Sequence, residues 1–172
     1  MTIPFHTPML QDRDAVCQAA NAAAAMENDA AFASIYLLRR KYRIEIAFQN
    51  GMLLRRYGAG VRENCYGFPL GGETASGIRL YAEDAKQRGI PLRLGLLTEE
   101  MCQTLSTLYP EQFLYTEAAE YAEYLYLREN IALLKGSRYH RKRNHIAQFR
   151  RGCPDAEIQP LVAENADFAE NI

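Results

Sequence analysis

The chain has 172 residues, among them 20 Lys or Arg, 21 Asp or Glu and four Cys, and its formal net charge is −1. This length suits one domain of ordinary size and part of a second. No run of about 18 apolar residues could cross a bilayer, and the first residues lack the basic start and apolar run of a secretory signal. We therefore expect a cytoplasmic protein without an integral membrane segment.

The first part of the chain predicts a short strand at 3–6 and two helices, followed by a β-hairpin. Alternating apolar residues predict a half-buried strand at 44–48, in which Ala47 faces outward and Phe48 faces inward. Asn50-Gly51 is a pair that a type I′ turn prefers, and residues after it supply the returning strand.

The next part of the chain predicts strands that alternate with helices. The expected elements are a strand at 65–70, a helix at 74–88, a strand at 92–96, a helix capped by Thr98 and a strand at 112–115. A meander joined to helical connections indicates a mixed α/β sheet. Residues 119–127 are ambiguous, because their helical spacing favours a helix and their density of Tyr favours a strand.

One basic segment sets the charge of the chain. Residues 135–151 hold seven Lys or Arg and no acid, whereas the other positions hold 13 Lys or Arg and all 21 acids. We expect Ser137 to cap a helix that Gly152 ends. Arg138 and Arg141 would then lie in the first turn, where cations oppose the helix dipole. The segment therefore predicts either a phosphate or carboxylate site or merely a solvated basic face.

The cysteines and histidines predict no metal site. The four cysteines are widely separated and form no CxxC pair, which favours reduced thiols. His140 and His145 are five residues apart and do not share a helix face.

Ordered blocks of residues resemble a known family. The blocks are Phe32, Tyr36, Arg39 and Tyr42, then Phe68-Pro69-Leu70-Gly71, Gly89-Ile90-Pro91-Leu92-Arg93, Tyr121 to Tyr126, Leu133, Gly136, Tyr139-His140, Lys142-Arg143-Asn144, Ile146 and Phe149. Together they cover nearly the whole chain. The pattern resembles an uncharacterised bacterial domain family related to the C-terminal domain of phosphatidylglycerol lysyltransferase.

This resemblance implies an α/β (α+β) protein with two tandem lobes of the acetyltransferase-like (GNAT) fold, each a mixed, mostly antiparallel sheet flanked by helices. The first lobe would occupy residues 1–127, and connecting helices that include the basic helix would occupy 128–153. Residues 154–172, which predict a strand at 156–161 and then a helix, would begin the second lobe. The remainder of that lobe would be a partner from the same polypeptide.

The resemblance also implies a function. The complete two-lobed protein would move an aminoacyl group from aminoacyl-tRNA to a lipid such as phosphatidylglycerol, or to another amine or hydroxyl acceptor. Its partners would be aminoacyl-tRNA or an anionic phospholipid head group, the latter at the periphery of a membrane. By this analogy the residues that bind phosphate are Arg138, Arg141, Lys142, Arg143 and Asn144. They would position the substrate, because Arg stays charged and cannot serve as a base.

The chain departs from coenzyme A-binding relatives of this fold. Where those carry a basic, glycine-rich turn, this sequence reads PLGGETASG, and Glu73 would repel a pyrophosphate. We therefore expect Gly71-Gly72 to be a backbone turn and expect no cofactor. No Ser/His/Asp or Cys/His signature is present, so the catalytic residues stay unassigned.

Two alternatives stay open at this point. In one, the chain is a non-catalytic module with a degenerate GNAT fold that binds nucleic acid or anionic lipid; binding would then fall steeply with salt, without any group transfer. In the other, the basic helix is a connector whose charge the acids of the second lobe neutralise.

Overall fold

The structure, a computed structural model, describes residues 3–157 and residue 159. These residues form a mixed α/β fold with six α-helices and a three-stranded antiparallel sheet in the order β1-β2-β3. The helices are α1 (Arg13–Ala22), α2 (Phe32–Leu38), α3 (Thr74–Gln87), α4 (Glu99–Leu108), α5 (Arg128–Leu133) and α6 (His140–Gly152). The strands are β1 (Ile44–Gln49), β2 (Met52–Tyr57) and β3 (Cys65–Tyr66).

The chain divides into two compact units, Met1–Glu123 and Tyr124–Ile172. The sheet and the first four helices belong to the first unit, and α5 and α6 belong to the second. The division into lobes at residues 127 and 153 stays a prediction.

The β-hairpin at the centre of the first unit confirms its prediction. β1 pairs with β2 from Ile44 opposite Tyr57 to Gln49 opposite Met52. Asn50-Gly51 connects the strands with φ angles of +53° and +73°, the left-handed values that a type I′ turn requires. Glycine and asparagine tolerate these angles, so the turn favours the observed register of the hairpin.

Both faces of the sheet are buried, which corrects the predicted pattern of β1. Ile46 belongs to a core cluster with Val16 of α1, whereas Ala47 belongs to a cluster with Ile78 of α3. Ala47 is fully buried and Phe48 is 37% exposed, so the predicted outward and inward positions are wrong for these two residues. Alternation assumes one solvated face, and in this sheet helices cover both.

Short extended segments cover both edges of the sheet. His6 exchanges two backbone hydrogen bonds with Ile46 of β1, at 2.9 and 2.8 Å. On the other edge, the Tyr66 N–H donates to the Arg93 carbonyl at 2.8 Å, and the Gly95 N–H donates to the Tyr66 carbonyl at 3.0 Å, which makes a parallel bridge. The strands predicted at 3–6 and 92–96 are therefore single bridges.

In the first unit, α3 begins at the predicted residue 74 and ends at Gln87, one residue before the predicted end. α3 buries Ile78, Tyr81 and Ala85, three of the apolar residues spaced for its inward face. Thr98 caps α4 as predicted, because its Oγ1 accepts a hydrogen bond from the Met101 N–H at 3.3 Å. The segment 112–115, by contrast, forms no strand.

A buried arginine joins the sheet to the turn before α2. Arg55 of β2 is 1% exposed. Its guanidinium donates to the backbone carbonyls of Asp29 and Phe68, the latter at 3.0 Å, and lies 3.3 Å from the Asp29 carboxylate. The Tyr57 hydroxyl and the Arg62 guanidinium also donate to that carboxylate. The charge of Arg55 is thus paired inside the protein.

The chain after residue 115 corrects two further predictions. Residues 119–127 are neither a helix nor a strand: a 3₁₀ turn at Ala119–Tyr121 leads into a segment without regular structure. Ser137 does not cap α6, because a 3₁₀ turn, Ser137–Tyr139, precedes the helix and Ser137 forms no capping bond. Of the two arginines predicted in the first turn, Arg138 therefore lies before α6 and Arg141 lies in that turn.

The strand predicted at 156–161 and the helix after it fall mostly outside the described residues. Within the described part of the chain, no helix has both the length and the apolar composition needed to cross a membrane.

Candidate functional site

The predicted phosphate-binding residues all lie on α6 or in the turn before it, and all are exposed. Between residues 3 and 157, no carboxylate lies within ion-pair distance of Arg138, Arg141, Lys142 or Arg143. Exposed cations without carboxylate partners are open to an external anion. The four positive charges thus form a surface that suits a polyanion.

Arg143 differs from the other predicted cations because its side chain forms hydrogen bonds with backbone carbonyls. Its guanidinium donates to the carbonyls of Leu134 and Gly136, the second at 2.8 Å. Leu134 ends α5 with a left-handed φ of +46°, and Gly136 has a φ of +88°. Arg143 therefore stabilises the turn that joins α5 to α6, and its remaining N–H groups are the ones that can reach an anion.

Arg138 and Lys142 lie over tyrosine rings. The Arg138 guanidinium carbon is 4.6 Å from the centroid of the Tyr139 ring, and the Tyr139 hydroxyl accepts a hydrogen bond from Arg138. The Lys142 Nζ is 4.8 Å from the centroid of the Tyr126 ring. Such cation–π contacts restrict the cations without neutralising them.

Arg141 and Asn144 are the least constrained of the predicted residues. The Asn144 amide nitrogen lies 3.5 Å from the His140 Nδ1, a long contact one helical turn away. Arg141 has no hydrogen bond or ion pair to any residue that the structure describes. All five of its N–H donors are therefore open to a ligand.

Three tyrosines in the second unit form a cluster that the sequence analysis does not predict. The rings of Tyr124 and Tyr126 are nearly parallel, with an interplanar angle of 13° and centroids 6.3 Å apart. The ring of Tyr126 is tilted by 51° against that of the buried Tyr139, with the centroids 6.5 Å apart. The sequence signal was available, because Tyr residues two apart meet when the chain between them is extended.

The first unit contains a cleft of about 1070 Å³, large enough for a small molecule. Its walls come from the turn before α2, from α3 and α4, from residues 92–98, and from the segment 109–123. The sequence does not reveal this cleft, because its walls are distant along the chain and meet only through the fold.

The cleft carries both signs of charge on a largely apolar wall. Arg79, Arg93, Glu27 and Asp29 line it. One carboxylate oxygen of Glu27 is buried and has no hydrogen-bond partner. A ligand N–H or O–H would satisfy this oxygen, and a buried acceptor without a partner is costly to the fold.

The end of the first unit is tied to the same turn. The backbone N–H of Asn28 donates to both oxygens of the Glu123 carboxylate, at 2.9 and 3.2 Å. This contact joins residues 95 positions apart and keeps the segment 109–123 beside the cleft.

The described part of the cleft holds no activated thiol and no metal cluster. Burial raises the pKa of both the Cys102 thiol, which lines the cleft, and the Cys65 thiol, so both stay protonated near neutral pH. No group of three His, Cys, Asp or Glu among the described residues is arranged to hold a metal ion.

The glycine pair before α3 is explained by packing. Gly71 has a φ of +95°, and a Cβ there would lie 3.0 Å from the Gly51 carbonyl oxygen. A Cβ on Gly72 would lie 2.4 Å from the Met52 side chain. The turn therefore requires glycine whether or not a ligand binds, and Glu73 follows it at the start of α3.

Comparison with solved structures finds a similar chain. It is from a crystal structure described as "Conserved Protein of Unknown Function from Bacteroides thetaiotaomicron VPI-5482". The two chains are 31% identical and superpose with a TM-score of 0.79 over 99% of the present chain. The present chain spans 57% of the length of that protein.

Among curated proteins, none matches the chain. Residues 21–172 match the family described as phosphatidylglycerol lysyltransferase, C-terminal. This match includes the sheet, all the residues that line the cleft and the basic helix. The chain therefore belongs to the phosphatidylglycerol lysyltransferase C-terminal family.

Proposed function

We propose that this chain is part of an aminoacyltransferase that moves an amino acid from aminoacyl-tRNA to phosphatidylglycerol or to another hydroxyl or amine acceptor. Family membership supports a transferase of this kind. A lipid acceptor would bring the protein to the cytoplasmic face of a membrane as a peripheral protein.

The order of elements in the first unit supports a GNAT-like lobe. Three antiparallel strands lead into α3, and the chain then returns beside β3 in a parallel bridge between Tyr66 and Leu94. A helical crossover between parallel neighbours is the connection that the proposed fold needs.

The observation that carries the proposal is the set of exposed cations on and before α6. Arg138, Arg141 and Lys142 have no carboxylate partner among the described residues, and each can bind a phosphate oxygen. A tRNA presents such oxygens at every nucleotide. These residues would bind and orient the donor and take no part in proton transfer.

The proposed reaction is the exchange of one ester for another ester or for an amide. The acceptor oxygen or nitrogen attacks the aminoacyl carbonyl carbon, the bond to the ribose oxygen of the tRNA breaks, and that oxygen takes up the proton that the acceptor loses. The cleft of the first unit would enclose the aminoacyl group. There, the unpartnered oxygen of Glu27 would accept a hydrogen bond from its ammonium group.

A transfer assay tests the proposal. The full-length protein is mixed with tRNA that carries a radiolabelled amino acid and with phosphatidylglycerol vesicles, and the label is followed into the lipid. We expect label in the lipid with the natural protein and a strong loss with the double variant R138Q/R141Q, while circular dichroism stays unchanged.

The matched control removes the same charge from the same helix. Arg150 and Arg151 lie in the last turn of α6, so R150Q/R151Q should keep most of the transfer activity. An equal loss in both double variants would mean that only the net charge matters. Unchanged transfer in R138Q/R141Q would contradict the proposed role of these two residues.

A non-catalytic anion-binding module is the second candidate. The exposed cations on and before α6 also suit such a module, because binding an anion needs no catalytic group. A module of this kind would bind tRNA or anionic vesicles in a strongly salt-dependent way without transferring label. If the basic helix is only a connector, the full-length protein would bind neither.

A further inference from the structure

We propose that Tyr124, Tyr126 and Tyr139, together with the cations beside them, form a surface that binds single-stranded RNA by stacking on an unpaired base. This inference rests on the proposed function, since the donor end of a tRNA is single-stranded. It adds a base contact to the phosphate contacts described above.

The outermost ring is free to accept a base. The Tyr124 side chain is 88% exposed, and its ring lies nearly parallel to that of Tyr126 with the centroids 6.3 Å apart. A tyrosine that merely filled a core would lose most of its exposure. An exposed ring that lies parallel to a second ring and near cations is instead a surface on which a base can stack.

The inner rings fix the platform in place. Tyr126 is 39% exposed and Tyr139 is 3% exposed, so burial increases along the stack. The Tyr126 ring lies near those of Tyr124 and Tyr139, and the Lys142 Nζ is 4.8 Å from its centroid. Rings held by such contacts lower the entropy cost of binding a base.

The cations lie close enough to the rings for one nucleotide to contact both. Lys142 contacts Tyr126 and Arg138 contacts Tyr139, each by a cation–π interaction shorter than 5 Å. Aromatic platforms interleaved with cations are the usual means of binding single strands, because each nucleotide brings one flat base and one phosphate. The same arrangement gives no advantage with a paired duplex, whose bases are not available for stacking.

The leucines of this segment do not share the surface. Stacking of Tyr124 on Tyr126 requires an extended chain between them, so Leu125 and Leu127 project to the other side. Both are exposed, at 79% and 70%. Exposed leucines can insert into a membrane, but they offer no ring on which a base could stack. Substitution of a leucine therefore distinguishes membrane binding from RNA binding.

The test uses the full-length protein and a short single-stranded oligoadenylate with 2-aminopurine in place of one adenine. The chain contains no Trp, so the fluorescence of the probe can be followed without interference. We expect quenching on binding, because the base stacks on Tyr124. Y124L should weaken binding by roughly tenfold to a hundredfold, and Y124F should restore it because the ring is kept.

Two controls separate stacking from charge and from lipid. L125A should bind the oligonucleotide as the natural protein does, and a fully paired RNA should bind Y124L and the natural protein equally. Unchanged oligonucleotide affinity in Y124L would overturn the inference. The inference would also fail if Y124L or L125A lost binding to phosphatidylglycerol vesicles while both variants kept their affinity for RNA. The surface would then be a membrane contact.

The transfer assay distinguishes this inference from the proposed function. If Y124L loses stacking but the natural protein transfers no label, the RNA surface stands and the transferase proposal fails. If label is transferred and Y124L leaves the KM for aminoacyl-tRNA unchanged, the transferase proposal stands and the stacking surface is refuted.

Discussion

Arginine serves two purposes in this protein, one in each unit. Arg55 in the first unit is 1% exposed and paired with Asp29 and with two backbone carbonyls, whereas Arg141 in the second is exposed and unpaired among the described residues. A buried charge must find its partners inside the protein, because its transfer from water is costly. An exposed charge keeps its hydration and stays available to a ligand. The surroundings of an arginine therefore tell more about its role than its position in the sequence.

The largest effect should come from removing the buried arginine. R55M leaves the backbone carbonyls of Asp29 and Phe68 without their donor and removes one of the three donors to the Asp29 carboxylate, so the free energy of unfolding should fall by about 3–5 kcal/mol. Urea unfolding followed by circular dichroism measures this change. R93M, which removes an exposed arginine, is the matched control and should change stability by less than about 0.5 kcal/mol.

If R55M does not fold, R55K provides the same test. It keeps the charge but cannot reproduce the forked contacts of the guanidinium, so its stability should lie between those of the natural protein and R55M. Equal stability of R55K and the natural protein would mean that the geometry of these contacts contributes little.

Alkaline pH should weaken the first unit through its buried tyrosines. Burial, and then its hydrogen bond to Asp84, raises the pKa of Tyr66 to about 12, and burial also raises the pKa of Tyr57 and Tyr81. Unfolded tyrosine titrates near pH ~10. The unfolded chain therefore loses these protons first, and stability that is complete below pH ~10 is lost as the pH rises towards ~12.

The midpoint of urea unfolding measured from neutral to alkaline pH checks this prediction. Y66F removes one of the three groups and should make the alkaline decline shallower. A midpoint that stayed constant up to about pH 11 would show that these tyrosines lose their protons equally easily in the folded protein.

A smaller effect should follow from removing one hydroxyl beside the buried arginine. The Tyr81 hydroxyl accepts a hydrogen bond from the backbone N–H of Arg55 at 2.9 Å, and both groups are buried. Y81F leaves that N–H without a partner and should cost about 1–3 kcal/mol of unfolding free energy. Y115F removes a hydroxyl from an exposed hydrogen bond and should cost less; equal costs would argue against the importance of burial here.

The smallest effect on stability should come from the exposed arginines. R138Q/R141Q should change the free energy of unfolding by less than about 0.5 kcal/mol. The slope of log affinity for single-stranded RNA against log salt concentration should nevertheless fall by about 1.4, since two phosphate contacts are lost. Loss of stability without a change in this slope would reverse the roles that we assign to the two kinds of arginine.

Local sequence signals predicted the elements whose causes are local. Asn50-Gly51 fixes its turn through left-handed φ angles, and Thr98 caps α4 with its own side chain. Where the cause lies elsewhere in the chain, the predictions were wrong. Ala47 is buried because α3 and α4 cover the second face of the sheet, and nothing in residues 44–49 indicates that.

The candidate site was predictable only in its charges. The basic segment is continuous in the sequence, so its residues could be named, and their role in phosphate binding stays a prediction. The predicted start of α6 at Ser137 was wrong, because the turn at Gly136, which Arg143 contacts, leads first into a 3₁₀ turn. The cleft could not be found, since Glu27, Arg79 and Arg93 meet only after folding.

The covered edges of the sheet bear on how the protein behaves at high concentration. An open strand edge is a template on which another chain can add a strand and begin to aggregate. Here His6 occupies the edge of β1 and the segment around Leu94 occupies that of β3. The segment around His6 thus protects β1 against self-association, and its removal would expose the backbone of Ile46 to a neighbouring molecule.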